Sequence, residues 1–363
     1  MLIVDSNLDL AWNALQWNRD LLLSVYTIRT QERSLKVANP GSGLAMGTVA
    51  LPEMRRARIA VSLATLLVRS TGRTAPHIDF SSVAQTYGIA QGQLAYYKAL
   101  AREGHARIVV DLAGLNRHVA EWEAWDAQPQ EDAAESPPLG FVISMESADA
   151  IASPDQLEEW WDAGVRVIGP AHYGPGRYAG GTGTELGLSD IGSALLAEME
   201  RLGVILDLTH FSDRALGQAL ERFGGPVLVS HGNCRALVRN QRQFSDEHIR
   251  TIAARGGVIG VMLDAAMLRE GWIAGQTSNA GVTLAKLINH IDHICQLTGS
   301  CRHVGIGSDL DGGYGLEQTV SDLDTIADLE KVGGLLAERG YTADDIAGIM
   351  HGNWLALLRT AWR

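Results

Sequence analysis

Two short apolar runs in this chain each end in a histidine. They are Val204-Ile-Leu-Asp-Leu-Thr-His210 and Pro226-Val-Leu-Val-Ser-His231. Short runs rich in Val, Ile and Leu, each followed by a helical pattern, are typical of buried parallel strands. Two successive strands that deliver a histidine at the same end would place both imidazoles at one rim of an α/β barrel. Such a pair is suited to holding a metal ion.

Other polar residues follow apolar runs in the same way. They are Asn7, Asp9, Glu146, His172 and Asp309. Each of them alone has an ordinary structural explanation, such as a satisfied buried histidine, a helix cap or a turn. Independent structural residues would not all fall at the same strand end, and active sites of α/β barrels lie at that end. Together they predict a metal-binding active site.

The elements that would position these residues alternate between strand and helix. The predicted strands cover residues 2–9, 58–67, 141–146, 166–172, 204–210, 226–231, 258–263 and 303–309. Helical patterns cover residues 82–102, 119–125, 153–163, 189–202, 212–223, 245–255, 283–298, 321–339 and 342–358. Alternation of this kind indicates a parallel sheet, and eight repeats favour a closed (β/α)8 TIM barrel.

The chain organisation follows from the same pattern. No linker divides the 363 residues, so we predict one domain over 1–363. The surplus over about 250 residues, the usual size of such a barrel, lies mainly between strands one and three and would form extra helices. A polar, proline-bounded loop is predicted at 129–138 and a glycine-rich loop at 173–187.

Composition restricts the partners and the location. The net charge of −12 comes with no run of Lys and Arg, which argues against a nucleic-acid partner. No apolar stretch approaches membrane-spanning length, and the N-terminus lacks a signal-peptide pattern. Cys234, Cys295 and Cys301 have neither ligand-like nor disulfide-framework spacing, so we expect reduced thiols in a cytoplasmic protein. The oligomeric state stays open, a homo-oligomer included.

Several segments share their order and spacing with a known family. They are Val4-Asp-Ser-Asn-Leu-Asp-Leu10, Ser144-Met-Glu146, Gly164-Val-Arg-Val-Ile-Gly-Pro-Ala-His172, Leu202-Gly-Val-Ile-Leu-Asp-Leu-Thr-His210, Val229-Ser-His231, Val304-Gly-Ile-Gly-Ser-Asp-Leu-Asp-Gly312 and Gly352-Asn-Trp-Leu355. In these segments the chain resembles the membrane dipeptidase family (renal dipeptidase, peptidase family M19) of the amidohydrolase superfamily. The resemblance runs from the first strand to the last helix.

The resemblance implies a pair of zinc ions bridged by Glu146. His210 and His231 would hold one ion, and Asp9 with the residue two positions earlier would hold the other. The family has His-x-Asp in strand one, whereas this chain has Asn7-Leu8-Asp9. An amide oxygen is a harder and weaker zinc ligand than an imidazole nitrogen. We therefore expect the site of Glu146, His210 and His231 to fill first and the strand-one site to be weak or empty.

The resemblance also implies roles around the substrate. His172 would contact the substrate and stabilise the oxyanion, and Asp309 would act as general base for the attacking water. Arg242 would bind the substrate carboxylate, with Arg235 and Arg239 as close competitors for that role.

The function implied is a zinc-dependent dipeptidase acting on a small substrate with a free carboxylate. Two alternatives stay open. One is a single-metal amidohydrolase with another substrate, such as an N-acyl amino acid or a lactone. The other is a non-catalytic binding homologue that has lost a metal ligand.

Overall fold

A computed structural model describes residues 1–35, 43–72, 77–128 and 135–363. The part of the predicted loop 129–138 that covers 129–134 lies outside the described residues. The described chain contains nine strands: β1 (Ile3–Leu8), β2 (Ile59–Leu67), β3 (Ala106–Ile108), β4 (Leu139–Glu146), β5 (Val165–Gly169), β6 (Ile205–Asp207), β7 (Val227–Leu228), β8 (Ile259–Val261) and β9 (Val304–Ile306).

Eight of these strands form a parallel barrel. Their order is β7-β6-β5-β4-β2-β1-β9-β8, and a single parallel bridge between Val229 and Ile259 joins the two ends. Every residue of the eight strands is buried, because the helices cover the outside and side chains fill the inside. The predicted (β/α)8 TIM-like fold is confirmed.

The ninth strand was not predicted. β3 pairs in parallel with the beginning of β4, from Ala106 opposite Leu139 to Ile108 opposite Phe141. The pairing of β4 with β5 begins only at Ile143 opposite Val165. β3 therefore provides backbone hydrogen-bond partners for the first residues of β4, before the pairing with β5 begins. A strand of three residues has too few positions for an alternation of apolar and polar residues to show in the sequence.

Helices surround the barrel and fill the long connections. The α-helices are α1 (Leu10–Gln16), α2 (Val25–Ser34), α3 (Leu51–Arg56), α4 (Val83–Arg102), α5 (Leu112–Asp126), α6 (Leu157–Asp162), α7 (Asp190–Leu202), α8 (Asp213–Arg222), α9 (Asp246–Ala254), α10 (Ala265–Leu268), α11 (Leu284–Thr298), α12 (Glu330–Glu338), α13 (Ala343–Ala347) and α14 (Asn353–Ala361). Short 3₁₀ turns lie at Ala148–Ala150, Pro154–Gln156, Cys301–His303 and Ile326–Leu329, and a π-helical turn at Gly348–Gly352.

Serine caps fix the starts of several barrel helices. The side chains of Ser82, Ser189, Ser212 and Ser245 each accept a hydrogen bond from a backbone N–H in the first turn of α4, α7, α8 and α9. An N-cap of this kind satisfies one of the free N–H groups at the helix start. The predicted starts of these helices are thereby confirmed. The predicted helix over 321–339 is shorter than expected, because its first residues form loop and a 3₁₀ turn before α12.

Two glycines make room for a hydrogen-bonded contact inside the barrel. The hydroxyl of Ser6 donates to the backbone carbonyls of Ser230 and Ile306, across the inside of the barrel. A Cβ atom at Gly260 or Gly307 would collide with the Ser230 carbonyl and the Ser6 hydroxyl. Glycine at both positions therefore allows β1, β7 and β9 to be tied together directly under the site.

No helix among the described residues combines the length and the apolar composition needed to cross a membrane.

Candidate active site

A cavity of about 180 Å³ opens at the C-terminal ends of the barrel strands. It brings together all but one of the predicted site residues. The lining residues are Asp9, Trp12, Leu67, Ile78, Glu146, His172, Tyr173, His210, His231, Arg242, Met262, Asp264, Asp309, Gly312, Gly313, Tyr314 and Gln318. The exception, Asn7, lies buried behind the lining, with its side-chain Nδ2 donating to Oδ1 of Asp309 at 3.3 Å.

Three side chains from three strand ends converge most closely. Oε1 of Glu146 is 2.9 Å from Nε2 of His210 and 3.4 Å from Nε2 of His231. The two Nε2 atoms are 3.3 Å apart, and the three ligand atoms all lie within 4.8 Å of one another. All three residues are buried. One carboxylate oxygen and two imidazole nitrogens are a ligand set that zinc accepts readily.

Hydroxyl groups behind the two imidazoles orient them for metal binding. Nδ1 of His231 is 2.9 Å from the Ser230 hydroxyl, and Nδ1 of His210 is 3.4 Å from the Thr182 hydroxyl. When a hydroxyl accepts the Nδ1 proton, the Nε2 lone pair is left free toward the centre. Burial and the positive charge of Arg242 hold the pKa of both histidines well below the usual value, so each is neutral, as a metal ligand must be.

His172 has the opposite arrangement. Its Nδ1 is 2.9 Å from Nη1 of Arg69, and its Nε2 is 3.3 Å from Oε1 of Glu146. A guanidinium can only donate, so Nδ1 must accept and Nε2 must carry the proton of the neutral ring. This network assigns His172 as an N–H donor facing the cavity and not as a metal ligand. Arg69 itself is held by the carboxylate of Asp79 at 3.1 Å.

The strand-one part of the cavity is rich in carboxylates. Asp9 directly follows β1, and its Oδ1 accepts the hydroxyl proton of Thr65. Burial and then the charge of Glu146 raise the pKa of Asp9 well above its usual value. Burial, Glu146 and Asp9 do the same for the pKa of Asp309. Burial also raises the pKa of Glu146, to about 7, so the three neighbouring acids are costly to ionise together as long as no cation lies among them.

Unusual backbone conformations accompany the site. His210 and Asp309 have φ values of +66° and +56°, and Ser147, directly after Glu146, has +74°. Non-glycine residues rarely adopt this left-handed region, and each such residue costs on the order of 1–3 kcal/mol. His210 and Asp309 line the cavity in this conformation, whereas the hydroxyl of Ser147 accepts a hydrogen bond from the Asp149 N–H. The positive φ values cannot be read from the sequence.

Arg242 is the arginine that faces this cavity. It is buried, its Nη2 donates to the His231 carbonyl at 2.9 Å, and its Nε and Nη1 have no partner among the described residues. Arg235 is engaged with Asp213 through two bonds of 2.7 Å, and it lines a separate surface cleft together with Arg239. A buried guanidinium with unpaired N–H groups suits an anion such as a carboxylate.

The residues fit a divalent cation on the histidine side. Besides the convergent ligands, Oε2 of Glu146 is buried without a hydrogen-bond partner in the described chain. A buried carboxylate oxygen without a partner is costly, and a metal ion would satisfy it. The fit on the strand-one side is poorer, because Asn7 supplies an amide that donates to Asp309.

Sequence reasoning missed several residues that complete the site. Arg69 follows the end of β2, so the rule that selected the other strand-end residues would have found it as well. Thr182 and Tyr173 belong to the loop 173–187, which packs onto the site. The Tyr173 ring lies 4.9 Å from the ring of His210, edge to face. Their contribution depends on the loop's path, for which the sequence carries no signal.

The chain is similar to members of one known protein family. The sequence profile of the family described as membrane dipeptidase (peptidase family M19) matches residues 1–362. An uncharacterised dipeptidase of Schizosaccharomyces pombe is 31% identical over 227 residues, which are 61% of this chain and 53% of that protein. The match thus spans about half the length of this relative.

Two crystal structures share the fold. One is described as the dipeptidase AC, a metallopeptidase of family M19 (TM-score 0.78, 22% identity, 100% of this chain and 99% of that one). The other is a metallopeptidase from Rhodobacter sphaeroides liganded with a phosphinate mimic of the dipeptide L-Ala-D-Ala (TM-score 0.77, 21% identity, 100% and 99%). At these identities the structures establish the barrel fold, and the family profile establishes kinship. The chain belongs to the membrane dipeptidase family, peptidase family M19.

Proposed function

We propose that this chain is a zinc-dependent dipeptidase, which hydrolyses the amide bond of a small substrate with a free carboxylate. The observation that carries the proposal is the convergence of Glu146, His210 and His231 in the same cavity as the buried, partly unpaired guanidinium of Arg242. A metal ligand set together with a carboxylate-binding group matches what peptide hydrolysis of a short substrate requires.

Glu146, His210 and His231 would hold the zinc ion. When bound, zinc supplies Lewis acidity that lowers the pKa of water toward about 7 and polarises a carbonyl group. Both imidazoles are neutral, and the tautomer with its proton on Nδ1, facing a hydroxyl group, leaves Nε2 free for the metal. Ser230 and Thr182 keep the rings in the orientation that the ligand role requires.

Asp309 and His172 would handle protons and charge during the reaction. Asp309 lines the cavity beside the proposed metal ligands and would accept a proton from the attacking water and pass it to the leaving amine. The Nε2–H of His172 would donate to the oxygen of the scissile carbonyl as negative charge develops on it. Arg69 keeps that proton on Nε2 by occupying Nδ1.

Arg242 would anchor the carboxylate end of the substrate. Its unpaired Nε–H and Nη1–H lie on different edges of the guanidinium, and either of them together with the second N–H of Nη2 can donate two charge-assisted hydrogen bonds to a carboxylate. Such a pair fixes orientation as well as supplying affinity. A substrate held in this way has its amide bond beside the metal ligands, since both lie in one cavity of about 180 Å³. So small a cavity favours substrates of dipeptide size over longer peptides.

One metal ion per chain is the expected stoichiometry. Asn7 donates to Asp309 from the position where the family has a histidine, so the strand-one side offers Asp9 and Glu146 without an imidazole. A single-metal site can still perform metal-assisted hydrolysis. This arrangement also keeps N-acyl amino acids and lactones in consideration as alternative substrates.

The direct test combines metal analysis with a substrate panel. Protein loaded with zinc should contain one ion per chain and hydrolyse dipeptides, whereas Arg242→Met should raise KM for dipeptides roughly 100-fold by removing the charged anchor. Turnover confined to N-acyl amino acids or lactones would replace the dipeptidase proposal with the amidohydrolase alternative. Protein that binds no zinc would leave the non-catalytic binding homologue.

A further inference from the structure

Three apolar side chains lie together on one side of the active-site cavity. Leu67 is the last residue of β2, Trp12 lies on α1, which follows β1, and Ile78 lies in the segment that follows β2. β1 and β2 are neighbours in the barrel, so the three residues belong to one sector of its rim. The charged and polar lining residues come mainly from the other strands. We call Trp12, Leu67 and Ile78 the apolar wall.

The side chains of the apolar wall do not take part in core packing. Trp12 and Leu67 are 4% and 3% exposed, yet neither belongs to the continuous cluster of buried apolar side chains that forms the core of the described chain. Leu66 and Val68, on either side of Leu67, do belong to it. Ile78 is half-buried and lies outside the cluster as well. Apolar surface that faces a cavity lacks the contacts that burial in a core provides, and an apolar group of a ligand would supply them.

Hydrogen bonds and a ring contact hold the apolar wall in place. Nε1 of Trp12 donates to the backbone carbonyl of His77 at 2.9 Å, and the Trp12 ring packs edge to face on the ring of Trp17, with centroids 5.4 Å apart. The backbone N–H of Arg69 donates to the Ile78 carbonyl at 2.9 Å, which ties Ile78 to the residues just after β2. A surface that is already ordered loses little conformational entropy when a ligand binds to it.

The apolar wall lies beside the proposed metal ligands and across the barrel from Arg242. Leu67 pairs in register with Glu146 between β2 and β4, and paired residues point to the same side of a sheet. In the ring of eight strands β2 lies four places from β7, and the segment after β7 carries Arg242. Met262, which also lines the cavity, follows β8 next to β7 and therefore lies on the Arg242 side. A substrate with its carboxylate at Arg242 and its scissile carbonyl beside Glu146 extends its first residue toward the apolar wall.

We propose that the apolar wall binds the side chain of the first residue of the substrate, so that the chain prefers dipeptides that begin with leucine, methionine or phenylalanine. This inference rests on the proposed function and narrows its substrate class. A polar side chain at this position would lose hydration without finding a partner, because Nε1 of Trp12 already donates to His77 and the side chains of Leu67 and Ile78 form no hydrogen bonds. A first-residue glycine would leave the apolar surface uncovered.

Hydrolysis of matched dipeptides by the zinc-loaded protein tests the proposal. The substrates are Leu-Ala, Asn-Ala and Gly-Ala, each with L-Ala and with D-Ala as the second residue. The side chains of leucine and asparagine are similar in size and shape but differ in polarity. The ratio of kcat/KM for Leu-Ala to that for Asn-Ala does not depend on the fraction of active protein, because one preparation cleaves both substrates.

This ratio is compared among the unmodified chain, Ile78→Thr, Leu67→Ala and the matched control Ile108→Thr. Ile108 is half-buried like Ile78 but lies on β3, outside the cavity lining. Thr keeps the branched shape of isoleucine, and thermal unfolding shows whether each variant is folded. Because Ile78 is half-buried, its replacement disturbs the fold less than that of Leu67.

We expect the unmodified chain to cleave Leu-Ala about 100-fold more efficiently than Asn-Ala and about 10- to 50-fold more efficiently than Gly-Ala. Ile78→Thr should lower the Leu-to-Asn ratio about fivefold and Leu67→Ala about tenfold, whereas Ile108→Thr should leave it within about twofold. A ratio near one in the unmodified chain, or ratios in Ile78→Thr and Leu67→Ala that equal that of the control, would overturn the role of the apolar wall.

The same substrates separate this failure from a failure of the proposed function. If the zinc-loaded chain cleaves all three dipeptides with similar efficiency, the dipeptidase proposal stands and the apolar wall does not set specificity. If the zinc-loaded chain cleaves none of them, the proposed function fails, and the inference that rests on it fails as well.

Discussion

The two halves of the proposed metal centre differ in how completely they are built. We call Glu146, His210 and His231 the histidine side, and Asn7 with Asp9 the strand-one side. On the histidine side three ligand atoms lie within 4.8 Å of one another, and both imidazoles have hydroxyl partners behind them. On the strand-one side an amide donates to Asp309, and the hydroxyl of Thr65 donates to Asp9.

From this difference we expect a single residue, Asn7, to change how metal ions are distributed between the two sides. The histidine side presents neutral imidazoles whose Nδ1 atoms face hydroxyl groups, and the tautomer with its proton on Nδ1 offers a free Nε2 lone pair to a cation. The strand-one side already hydrogen-bonds its carboxylate neighbours through Asn7 and Thr65, so part of a cation's stabilising role is supplied by the protein. The strands that carry the two sides, β1 on one side and β4, β6 and β7 on the other, belong to the same parallel barrel. We therefore attribute the asymmetry to the side chains at the strand ends.

The largest contrast is expected from carboxylate-to-amide replacements on each side. Glu146→Gln removes the charged ligand while keeping its shape, and should reduce zinc to well below one ion per chain. The rate of hydrolysis should fall at least roughly 10³-fold, since several kcal/mol of transition-state stabilisation depend on the metal. Asp9→Asn should leave the zinc content close to one and reduce the rate less than about tenfold. Elemental analysis and steady-state kinetics measure both, and equal losses in the two variants would refute the asymmetry.

Asn7→His should give the strand-one side the imidazole ligand that it lacks. An imidazole in place of the amide should strengthen binding of a second ion by roughly 100-fold, because nitrogen is a better zinc donor than an amide oxygen. Competition with a chromophoric chelator gives the two affinities. Asn7→Gln serves as control, since it keeps an amide at the position. An unchanged second affinity in Asn7→His would show that Asn7 is not what weakens this side.

Removing a hydroxyl group that hydrogen-bonds a metal ligand should likewise weaken zinc binding more on the histidine side than on the strand-one side. Ser230→Ala removes the hydroxyl at Nδ1 of His231 and should weaken zinc binding about 10- to 100-fold. Thr65→Val removes the hydroxyl that donates to Asp9 and should leave the affinity for the first zinc ion within about threefold of that of the unmodified chain. Both replacements conserve side-chain volume well enough for thermal unfolding to confirm an intact fold. If Thr65→Val weakened binding of the first zinc ion as much as Ser230→Ala does, the two sides would have to be treated as one coupled site.

His290 provides a metal-free reference for a buried histidine. It lies on α11, its Nδ1 accepts the backbone N–H of Cys234 at 3.1 Å, and burial lowers its pKa to about 4. The unfolded chain binds a proton near pH 6.5 and the folded chain only near pH 4, so the stability contribution is present above pH 6.5 and is lost as pH falls toward 4. By pH 5.5 the loss is about 1.4 kcal/mol.

Urea unfolding of the unmodified chain and of His290→Asn at pH 7.5 and 5.5 measures this effect. Asn can still accept the Cys234 N–H but does not titrate. The unmodified chain should lose about 1.4 kcal/mol more than the variant between the two pH values. An identical pH dependence in both would show that His290 is not kept neutral by burial.

The sequence was most informative where the local chemistry is strong. Ser189 and Ser212 mark helix starts because a serine side chain satisfies free N–H groups. The strand predicted over 166–172 ends at Gly169 instead, because Pro170 donates no hydrogen bond. The apolar runs before His210 and His231 predicted two buried strands correctly. Because parallel strands end at one rim, the convergence of the site residues in one cavity followed from the barrel itself.

The sequence carries no indication of features that depend on contacts between distant segments of the chain. β3 is too short to show a pattern, and the positive φ of His210 depends on packing around the site. The contact between Arg69 and His172 joins the ends of different strands, so its effect on the imidazole proton appears only in three dimensions. The residue roles at the site, the single-domain organisation, the cytoplasmic location and the oligomeric state remain predictions.

Anomalous diffraction at the zinc edge, from crystals grown with slightly more than one equivalent of zinc, tests the asymmetry of the metal centre most directly. The expected map has one strong peak among Glu146 Oε1, His210 Nε2 and His231 Nε2, and little or no density beside Asp9. A peak of equal height beside Asp9 and Asn7, or the absence of any peak among Glu146, His210 and His231, would contradict the central claim.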